Sequence, residues 1–417
     1  MAKTPDAAAA SPIPWRQVLN GRTTLLLGVA LLSSTTFYMV QPFFLIYFRN
    51  TQGLSTAESG LLVSVPFLAV ILLGVAGGYM ADRVGVVRAY TLGLMVYGVS
   101  VGAVGLVHRF VFLVLLMICA GLAMSVTSGG MQSILNLSAP SSHRSLLQNY
   151  LYWIHNVGAL LGVLMASELL RAGQSNVPIL ILGAVRIGMF LLFLALFWGE
   201  RPVASIRPET PTAPRSGPWS TVQAAMADKA LRYTAFSMFL LIIMESQLDS
   251  TVPLYFTEHF RHGIALFGPI VALGTALVAV CQPLALKLLA DKSSTGTFRV
   301  GALLTGIGLA LGGTVGTIWA WALGMLLYSL GAVMWAIKLN DRVSALPREG
   351  HTALYFGALG TAQNAAFFIG IGLGSVFYHA AGAVVAFSSM TLIAVLVGFC
   401  FASGATGQEA SKRKPLT

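Results

Sequence analysis

Charged residues are scarce in this chain of 417 residues, where Asp, Glu, Lys and Arg together make up 9% of the total. A water-soluble domain carries about 25% charged residues, so the composition argues against a soluble globular fold. Cysteine is also rare. Cys119, Cys281 and Cys400 lie far apart, which argues against both a disulfide framework and a zinc site. Apolar residues reach 56%, which is the composition of a protein that resides in a lipid bilayer.

Long apolar runs, separated by charge, proline or short polar loops, divide the sequence into twelve segments. A transmembrane helix needs about 20 mainly apolar residues to cross about 30 Å of hydrocarbon. The sequence therefore predicts an all-α integral membrane protein with twelve transmembrane helices. The predicted spans 1 to 12 cover residues 23–47, 58–81, 89–107, 111–136, 146–169, 178–198, 232–256, 265–290, 298–316, 319–339, 352–376 and 380–402.

A polar linker separates the first six spans from the last six. It contains seven charged residues and five prolines, a composition that cannot bury a hydrophobic core. The predicted organisation is an N-terminal cytoplasmic tail (1–21), a six-helix bundle (22–198), a cytoplasmic linker (199–230), a second six-helix bundle (231–402) and a cytoplasmic tail (403–417).

The basic residues fall mostly on one side of the predicted bilayer. With both termini in the cytoplasm, 19 of the 25 Lys and Arg residues face the cytoplasm and four face the outside. The positive-inside rule therefore predicts cytoplasmic termini and a multi-pass protein of the inner (cytoplasmic) membrane. The net charge of +11 then comes from loops beside anionic lipid headgroups, and a nucleic-acid partner is not expected.

The two halves of the sequence carry matching residues at a nearly constant spacing. The matching pairs, 208 to 211 positions apart, are His143 and His351, Asn156 and Asn364, Gly162 and Gly370, Asp82 and Asp291, and Pro42 and Pro253. Parallel six-helix repeats of this kind place a substrate site near the membrane midplane, between the halves. By the same alignment, Tyr38 of span 1 occupies the position of Asp249 in span 7.

The segment that joins spans 2 and 3 carries a recognisable motif. Residues 78–88 read Gly-Tyr-Met-Ala-Asp-Arg-Val-Gly-Val-Val-Arg. This segment resembles the motif Gly-x-Leu-Ala-Asp-Arg-x-Gly-Arg-Lys of the major facilitator superfamily, with Met80 at the Leu position and Val86 and Val87 at the basic pair. The resemblance covers essentially the whole chain. It implies the major facilitator fold, with two six-helix bundles, in a transporter rather than an enzyme.

The same resemblance implies that this loop acts as a gate, in which the Asp faces the start of span 11 when the cytoplasmic side is closed. A negative charge at a helix N-terminus contributes roughly 0.3 to 1 kcal/mol, which is small enough for a contact that must open in every cycle. The alternative is a loop whose arginines only fix the orientation of the chain. The predicted gating residues are Gly78, Asp82, Arg83, Gly85, Arg88 and Asp291.

Span 7 carries two carboxylates, Glu245 and Asp249, which are four residues apart and hence on one face of a helix. A charged side chain inside a span costs about 2.5 to 3.5 kcal/mol on insertion scales, so it usually faces a cavity and has a function. A carboxyl group that is neutral when shielded and ionised when it faces water can carry a proton. We therefore predict that both residues couple transport to protons. The alternative is a hydrated Asp249 that pairs with a cation such as Arg186.

Polar and aromatic side chains in other spans mark a predicted substrate cavity. Amides, hydroxyls and aromatic rings suit a moderately hydrophobic ligand with a few hydrogen-bonding groups. The alternative is that these side chains only join helices, through bonds worth about 0.6 kcal/mol in membranes. The predicted substrate-binding residues are Tyr38, Gln41, Ser128, Gln132, Tyr152, His155, Asn156, Gln247, Trp335, Gln363 and Asn364.

The sequence contains no motif of an enzyme or of an ATP-driven pump in a suitable structural context. We therefore expect no catalytic residue, metal or cofactor.

Span 7 resembles the matching span of twelve-span drug:proton antiporters, in which an Asp upstream of Leu-Pro or Val-Pro takes part in coupling. Asp249 is the matching residue. In span 5, however, Val163 replaces the proline of the family's exporter pattern, which leaves the direction of transport open.

Together these features predict a monomeric, proton-coupled secondary transporter that exports amphiphilic or drug-like compounds by alternating access. Its partners would be a small-molecule substrate, protons and the lipid bilayer. The alternative is a dedicated exporter or importer of one metabolite, such as a siderophore or other metallophore, a peptide or a sugar.

Overall fold

A computed structural model describes residues 21–127, 130–138, 144–197, 228–289, 291–346 and 352–412. These ranges are almost entirely helical and contain no β-strand. Twelve of the helical segments are long and apolar enough to cross a bilayer, which confirms the predicted fold class.

The spans of the first half have the following helices: Gly21–Val40, Gln41–Phe43, Phe44–Ile46 and Tyr47–Thr51 (span 1), Thr56–Val84 (span 2), Val86–Val104 (span 3), Phe110–Thr127 and Gly130–Leu137 (span 4), Arg144–Arg171 (span 5) and Val177–Phe197 (span 6). The spans of the second half are Lys229–Glu245, Ser246–Asp249 and Thr251–His259 (span 7), Gly263–Leu288 (span 8), Ser294–Val315 (span 9), Ile318–Ala345 (span 10), Thr352–Ala381 (span 11) and Ala383–Lys412 (span 12).

The same pairs of neighbouring spans recur in the two halves. In the first half, span 1 packs on span 5, span 2 on span 4, and span 3 on span 6. In the second half, span 7 packs on span 11, span 8 on span 10, and span 9 on span 12. Each pair has its counterpart six spans later, as two six-helix repeats require. Between the halves, span 2 packs on span 11 and span 5 packs on span 8.

The outer surface of the bundle exposes large apolar side chains on many spans. Leu72, Phe112, Val280, Trp319 and Phe399 are each more than half exposed. Helices in a bilayer keep their backbone hydrogen bonds internal and face lipid tails with apolar side chains. This surface is therefore the lipid-facing surface of a membrane protein.

Most helix boundaries differ by a few residues from the predicted spans, and two of them lie inside segments predicted to be linker or tail. Asp228 begins span 7 inside the predicted linker, because its carboxylate accepts hydrogen bonds from the backbone N–H groups of Ala230 and Leu231 and so caps the helix. Span 12 continues to Lys412, inside the segment predicted to be a tail. This segment contains the poor helix formers Gly404 and Gly407, but it contains no proline until Pro415, which disfavours helix in the residue before it.

The even number of spans fixes which chain ends lie together. Residue 21, residues 197 and 228, and the end of span 12 lie at one face of the bundle, which we call the termini face. The opposite face carries the ends of spans 1, 7 and 11, and we call it the far face.

Candidate functional site

Spans 1 and 7 are both interrupted partway along their length. Each α-helix gives way to a short 3₁₀ turn, Gln41–Phe43 in span 1 and Ser246–Asp249 in span 7. Pro42 has no backbone N–H to continue the helical hydrogen bonds, and Ser250 has φ −136° and ψ −76°, outside the helical region. The two turns contact each other. Irregular backbone within a membrane protein is tolerated where it is buried in protein or lines a cavity.

A cavity of about 380 Å³ lies beside this contact, between the two halves of the protein. Its walls come from spans 1, 2, 5, 7, 8, 10 and 11. Small-molecule sites typically enclose about 300 to 1,000 Å³, with mainly apolar and aromatic walls and a few polar groups. The aromatic side chains of this wall are Phe37, Tyr38, Phe67, Tyr328, Trp335 and Phe367.

Glu245 and Asp249 both line this cavity, one helical turn apart on span 7. The side-chain amide of Gln41 faces the carboxyl group of Asp249, although its Nε2 atom stops short of hydrogen-bond geometry with any described residue. No Lys, Arg or His belongs to the described lining of the cavity. The two acids therefore have no compensating cation there, and they repel each other when both are ionised.

The cavity brings together residues from both halves that were singled out in the sequence. Those that line it are Tyr38, Gln41, Asn156, Glu245, Asp249, Trp335 and Gln363. Three others, His155, Gln247 and Asn364, are described by the structure and lie outside the lining. Ser128 is not among the described residues, and neither are the side chains of Gln132 and Tyr152.

His155 and Asn364 form hydrogen bonds within their own helices. The Nδ1–H of His155 donates to the carbonyl oxygen of Leu151 at 2.8 Å, and the Nδ2 of Asn364 donates to that of Gly360 at 2.8 Å. Successive residues of a helix point about 100° apart, so their neighbours Asn156 and Gln363 face the cavity instead. Substrate roles for His155 and Asn364 stay predictions.

Gln247 fixes the interrupted part of span 7 against span 11. Its side chain is almost fully buried, and its Nε2 donates to the carbonyl oxygens of Ile243 at 2.8 Å and Gly370 at 3.3 Å. Its Oε1 accepts a hydrogen bond from Thr251 at 2.6 Å. Because Gln247 lies between the two acids in sequence, these bonds hold the segment that carries them.

The side chain of Arg186 contacts residues of the first half and does not pair with Asp249. Its Nη1 donates to the Oγ of Ser33 at 2.5 Å, and its guanidinium group lies 5.3 Å from the centre of the Tyr97 ring. A cation over an aromatic face is stabilised by the ring's negative face. These contacts answer the question that the sequence left open about the partner of Arg186.

A polar network joins the two halves at the far face. Arg49, at the end of span 1, forms an ion pair of 2.5 Å with Glu258, at the end of span 7. The hydroxyl of Tyr378 donates to the same carboxylate at 2.9 Å, and His379 lies 3.0 Å from the hydroxyl of Thr56. Sequence reasoning missed this network, because Arg49 was only one of the four basic residues predicted to face the outside. The available signal was an acid at the far end of span 7, opposite a base at the far end of span 1.

The predicted gating loop is described only in part. Gly85 has φ 96°, a backbone conformation that residues other than glycine rarely adopt, and it lies between the helices of spans 2 and 3. Residues 74–83 are described as helix without their side chains, so the roles of Asp82 and Arg83, and that of Gly78, stay predictions. Arg88 is half-buried in the first turn of span 3, and Asp291 is exposed after span 8.

The architecture and the site together define a class of protein. Two equivalent six-helix bundles enclose a ligand-sized cavity that contains buried acids, which is the arrangement of a secondary transporter. The described residues include no group of three or more His, Cys, Asp and Glu suited to a metal ion. The sequence profile of the Major Facilitator Superfamily matches residues 26–371, and the chain belongs to this superfamily.

The names of the proteins similar to this chain refer to different compounds. The quinolone resistance protein NorA of Staphylococcus aureus is 25% identical over 158 residues, which are 38% of this chain and only 40% of that protein. A Na(+), Li(+), K(+)/H(+) antiporter of Planococcus maritimus is 21% identical over 359 residues, 78% of this chain and 82% of that protein. A solved POT family transporter in complex with a thioalcohol-conjugated peptide has a TM-score of 0.77 at 15% identity, covering 92% of this chain and 96% of that one. This last likeness shows the shared fold alone.

Proposed function

We propose that the protein is a proton-coupled secondary transporter that exports amphiphilic, drug-like compounds by alternating access. The observation that carries the proposal is the acid pair of Glu245 and Asp249 in the central cavity, without a cation in the described lining. The names of two distant relatives support it, because one is a quinolone resistance protein and the other is a cation/proton antiporter.

Acids in such a cavity suit a proton carrier. An ionised carboxylate is much less stable in a shielded, apolar site than in water. A proton is therefore retained while the cavity is closed and can exchange when the cavity opens to water. A cationic substrate compensates the charge of the ionised form, whereas a proton removes that charge, so proton and substrate compete for the acid pair. Exchange of substrate for protons requires this competition.

The orientation and the order of steps complete the proposal. Both termini lie in the cytoplasm and the protein resides in the inner membrane, so the far face is outside. The contact between Arg49 and Glu258 holds the far face closed while substrate enters from the cytoplasm and binds the deprotonated acids. The halves then rock, the far face opens, the loop containing Asp82 holds the termini face closed, and protons from outside release the substrate.

Exchange of alkali cations for protons is a second candidate. The antiporter of Planococcus maritimus favours it, because its similarity extends over 78% of this chain, and the acid pair could bind a bare cation. The aromatic walls favour an organic substrate, because rings such as Phe67 and Trp335 give an alkali ion none of the oxygen ligands that carboxylates and amides supply. We therefore place the alkali cations second.

The test is transport by the purified protein in liposomes with an imposed pH gradient. A lipophilic cationic dye and the ions Na⁺, Li⁺ and K⁺ are supplied separately to the native protein, Asp249→Asn and Glu245→Gln. We expect dye movement driven by the gradient, and loss of that movement in at least one variant. Glu168→Gln is the matched control, because this acid is exposed and its ion-pair partner among the described residues is Arg171 of its own span.

The other possible outcomes would each change the proposed substrate or the proposed coupling site. Movement of alkali ions without dye would transfer the proposal to the second candidate. If neither dye nor ion responds to the gradient in a folded native protein, drug export is excluded and a carrier for one metabolite becomes the leading hypothesis. Dye movement that persists in both acid variants would exclude the acid pair as the coupling site.

A further inference from the structure

Two buried hydrogen-bond donors line the central cavity without forming a hydrogen bond to any residue in the described part of the chain. They are the indole nitrogen Nε1 of Trp335 and the amide nitrogen Nε2 of Gln41, which faces the carboxyl group of Asp249 but does not reach hydrogen-bond geometry with it. Gln41 is 9% exposed and Trp335 is 8% exposed, so water reaches neither side chain freely. A buried donor without an acceptor costs about 1 to 3 kcal/mol, and more than 90% of buried backbone polar groups in folded proteins are paired.

The position of these donors indicates where their acceptors come from. Gln41 lies on span 1 of the first half and Trp335 on span 10 of the second half, and both contribute to the wall of one cavity. An indole N–H can only donate, so no rearrangement of Trp335 turns it into an acceptor. Polar groups placed in this way on an otherwise apolar wall are what fixes the orientation of a ligand.

We propose that the cavity selects amphiphilic cations that also carry a hydrogen-bond acceptor, such as a carbonyl or ester oxygen, on their aromatic body. The inference rests on the proposed function for the cationic group and adds the acceptor as a second requirement. Glu245 and Asp249 take the cation, the stacked rings of Phe67 and Phe367 (4.9 Å between centres) supply an apolar wall, and the donors of Gln41 and Trp335 take acceptors.

The expected selectivity follows from the donor that remains unpaired. A site that is built to hydrogen-bond a substrate rejects the analogue that lacks the bonding group, because its own buried polar group then has no partner. A net contribution of about 0.5 to 1.5 kcal/mol per bond corresponds to a preference of about 2- to 13-fold. Cations without any acceptor bind to the acids alone and therefore bind more weakly.

The experiment uses two dyes that differ in a single acceptor group. Tetramethylrhodamine methyl ester and tetramethylrosamine share the same cationic ring system, and only the former has an ester. Dissociation constants are measured by fluorescence polarisation with the purified full-length protein in detergent. The ratio of the two constants is compared between variants, so that effects common to both dyes cancel.

The variants separate the donor from the ring that carries it. Trp335→Phe keeps an aromatic wall and removes the N–H group. Trp321→Phe is the matched control, because this indole is also buried but does not line the cavity. Gln41→Leu removes the second donor, and it carries the test if Trp335→Phe does not fold, as judged by its thermal unfolding.

We expect the native protein and Trp321→Phe to prefer the ester by about 2- to 13-fold, and Trp335→Phe or Gln41→Leu to reduce this ratio, whatever change in affinity the two dyes share. Equal binding of both dyes by the native protein, or a preference that survives both substitutions, would overturn the acceptor requirement. Gradient-driven uptake of both dyes into liposomes is measured alongside. If both dyes are transported without preference, only this inference fails, whereas if neither is transported the proposed function fails with it.

Discussion

The two halves of this protein share their helix pairing and an interrupted first span, yet they differ in chemistry. The second half contributes Glu245 and Asp249 to the central cavity, whereas span 1 of the first half contributes Tyr38 and Gln41. The first half instead contains a cation, Arg186, inside span 6, where it donates a hydrogen bond to Ser33 of the same bundle. Duplication therefore accounts for the architecture. The acids that we propose as proton carriers lie on only one of the two bodies that would move.

The largest expected effect comes from moving the acid from one half to the other. We expect Asp249→Asn to reduce gradient-driven transport to the level of protein-free liposomes, because an amide cannot release a proton. Tyr38 occupies the equivalent position of span 1 and lines the same cavity. Adding Tyr38→Asp to the Asp249→Asn protein is therefore expected to restore part of the transport, measured as dye flux at a fixed pH gradient.

The control for this transfer is Tyr38→Asn in the same Asp249→Asn background, which has the same size and no acid. Recovery with the aspartate alone would show that coupling needs an acid in the cavity, whichever half supplies it. If the two double variants transport equally little, the acid must lie on span 7, and the difference between the halves is essential to the mechanism.

Much of the architecture could be predicted from the sequence because a bilayer imposes strict rules on a chain. Apolar runs of sufficient length must be helices, and the spacing of repeated residues predicted which spans are equivalent. The interruption of spans 1 and 7 was not predicted. Pro42 and Pro253 were noted only as a repeated pair. Because proline is tolerated in the first turn of a helix, each of these prolines also indicates that a new helical segment begins there.

The site could be predicted only at the level of residue type. A carboxylate or amide in an apolar span is conspicuous, so Gln41, Glu245 and Asp249 were singled out. A rotation of the helix by one residue decides whether Gln363 or Asn364 faces the cavity. Helix boundaries predicted from a sequence are less precise than one residue. Aromatic residues such as Phe367 were missed, because in a span they look the same as ordinary packing residues.

A second comparison concerns two glycines at equivalent positions, Gly162 in span 5 and Gly370 in span 11. A Cβ atom on Gly162 would contact the backbone of span 1, at the carbonyl of Thr35 and 2.8 Å from the nitrogen of Met39. A Cβ atom on Gly370 would mainly meet the hydroxyl of Ser246, which can rotate away. Overpacking costs about 1 to 3 kcal/mol, so Gly162→Ala is expected to destabilise the protein by this amount and Gly370→Ala by clearly less.

Thermal unfolding of the purified variants in detergent measures this difference. Gly188→Ala is the matched control, since nothing lies within 4 Å of the added atom and alanine is the better helix former; its unfolding temperature should be unchanged or slightly raised. Equal losses for Gly162→Ala and Gly370→Ala would mean that Ser246 cannot move, and that the two repeats are packed with the same rigidity.

The smallest expected effect concerns the contact between the halves at the far face. Glu258→Gln removes the charge that pairs with Arg49 but keeps an oxygen that can accept the hydrogen bond from Tyr378. Partly exposed ion pairs contribute about 0.2 to 1 kcal/mol, so the population of molecules with an open far face should rise by no more than about 5-fold.

Spin labels at Thr51 and Arg261, which are exposed at this face, report the change as a longer distance component. The same labels in Glu168→Gln, whose acid pairs with Arg171 of its own span, should show the native distribution. An unchanged distribution in Glu258→Gln would mean that the contact between His379 and Thr56, rather than the ion pair, holds the two halves together at the far face.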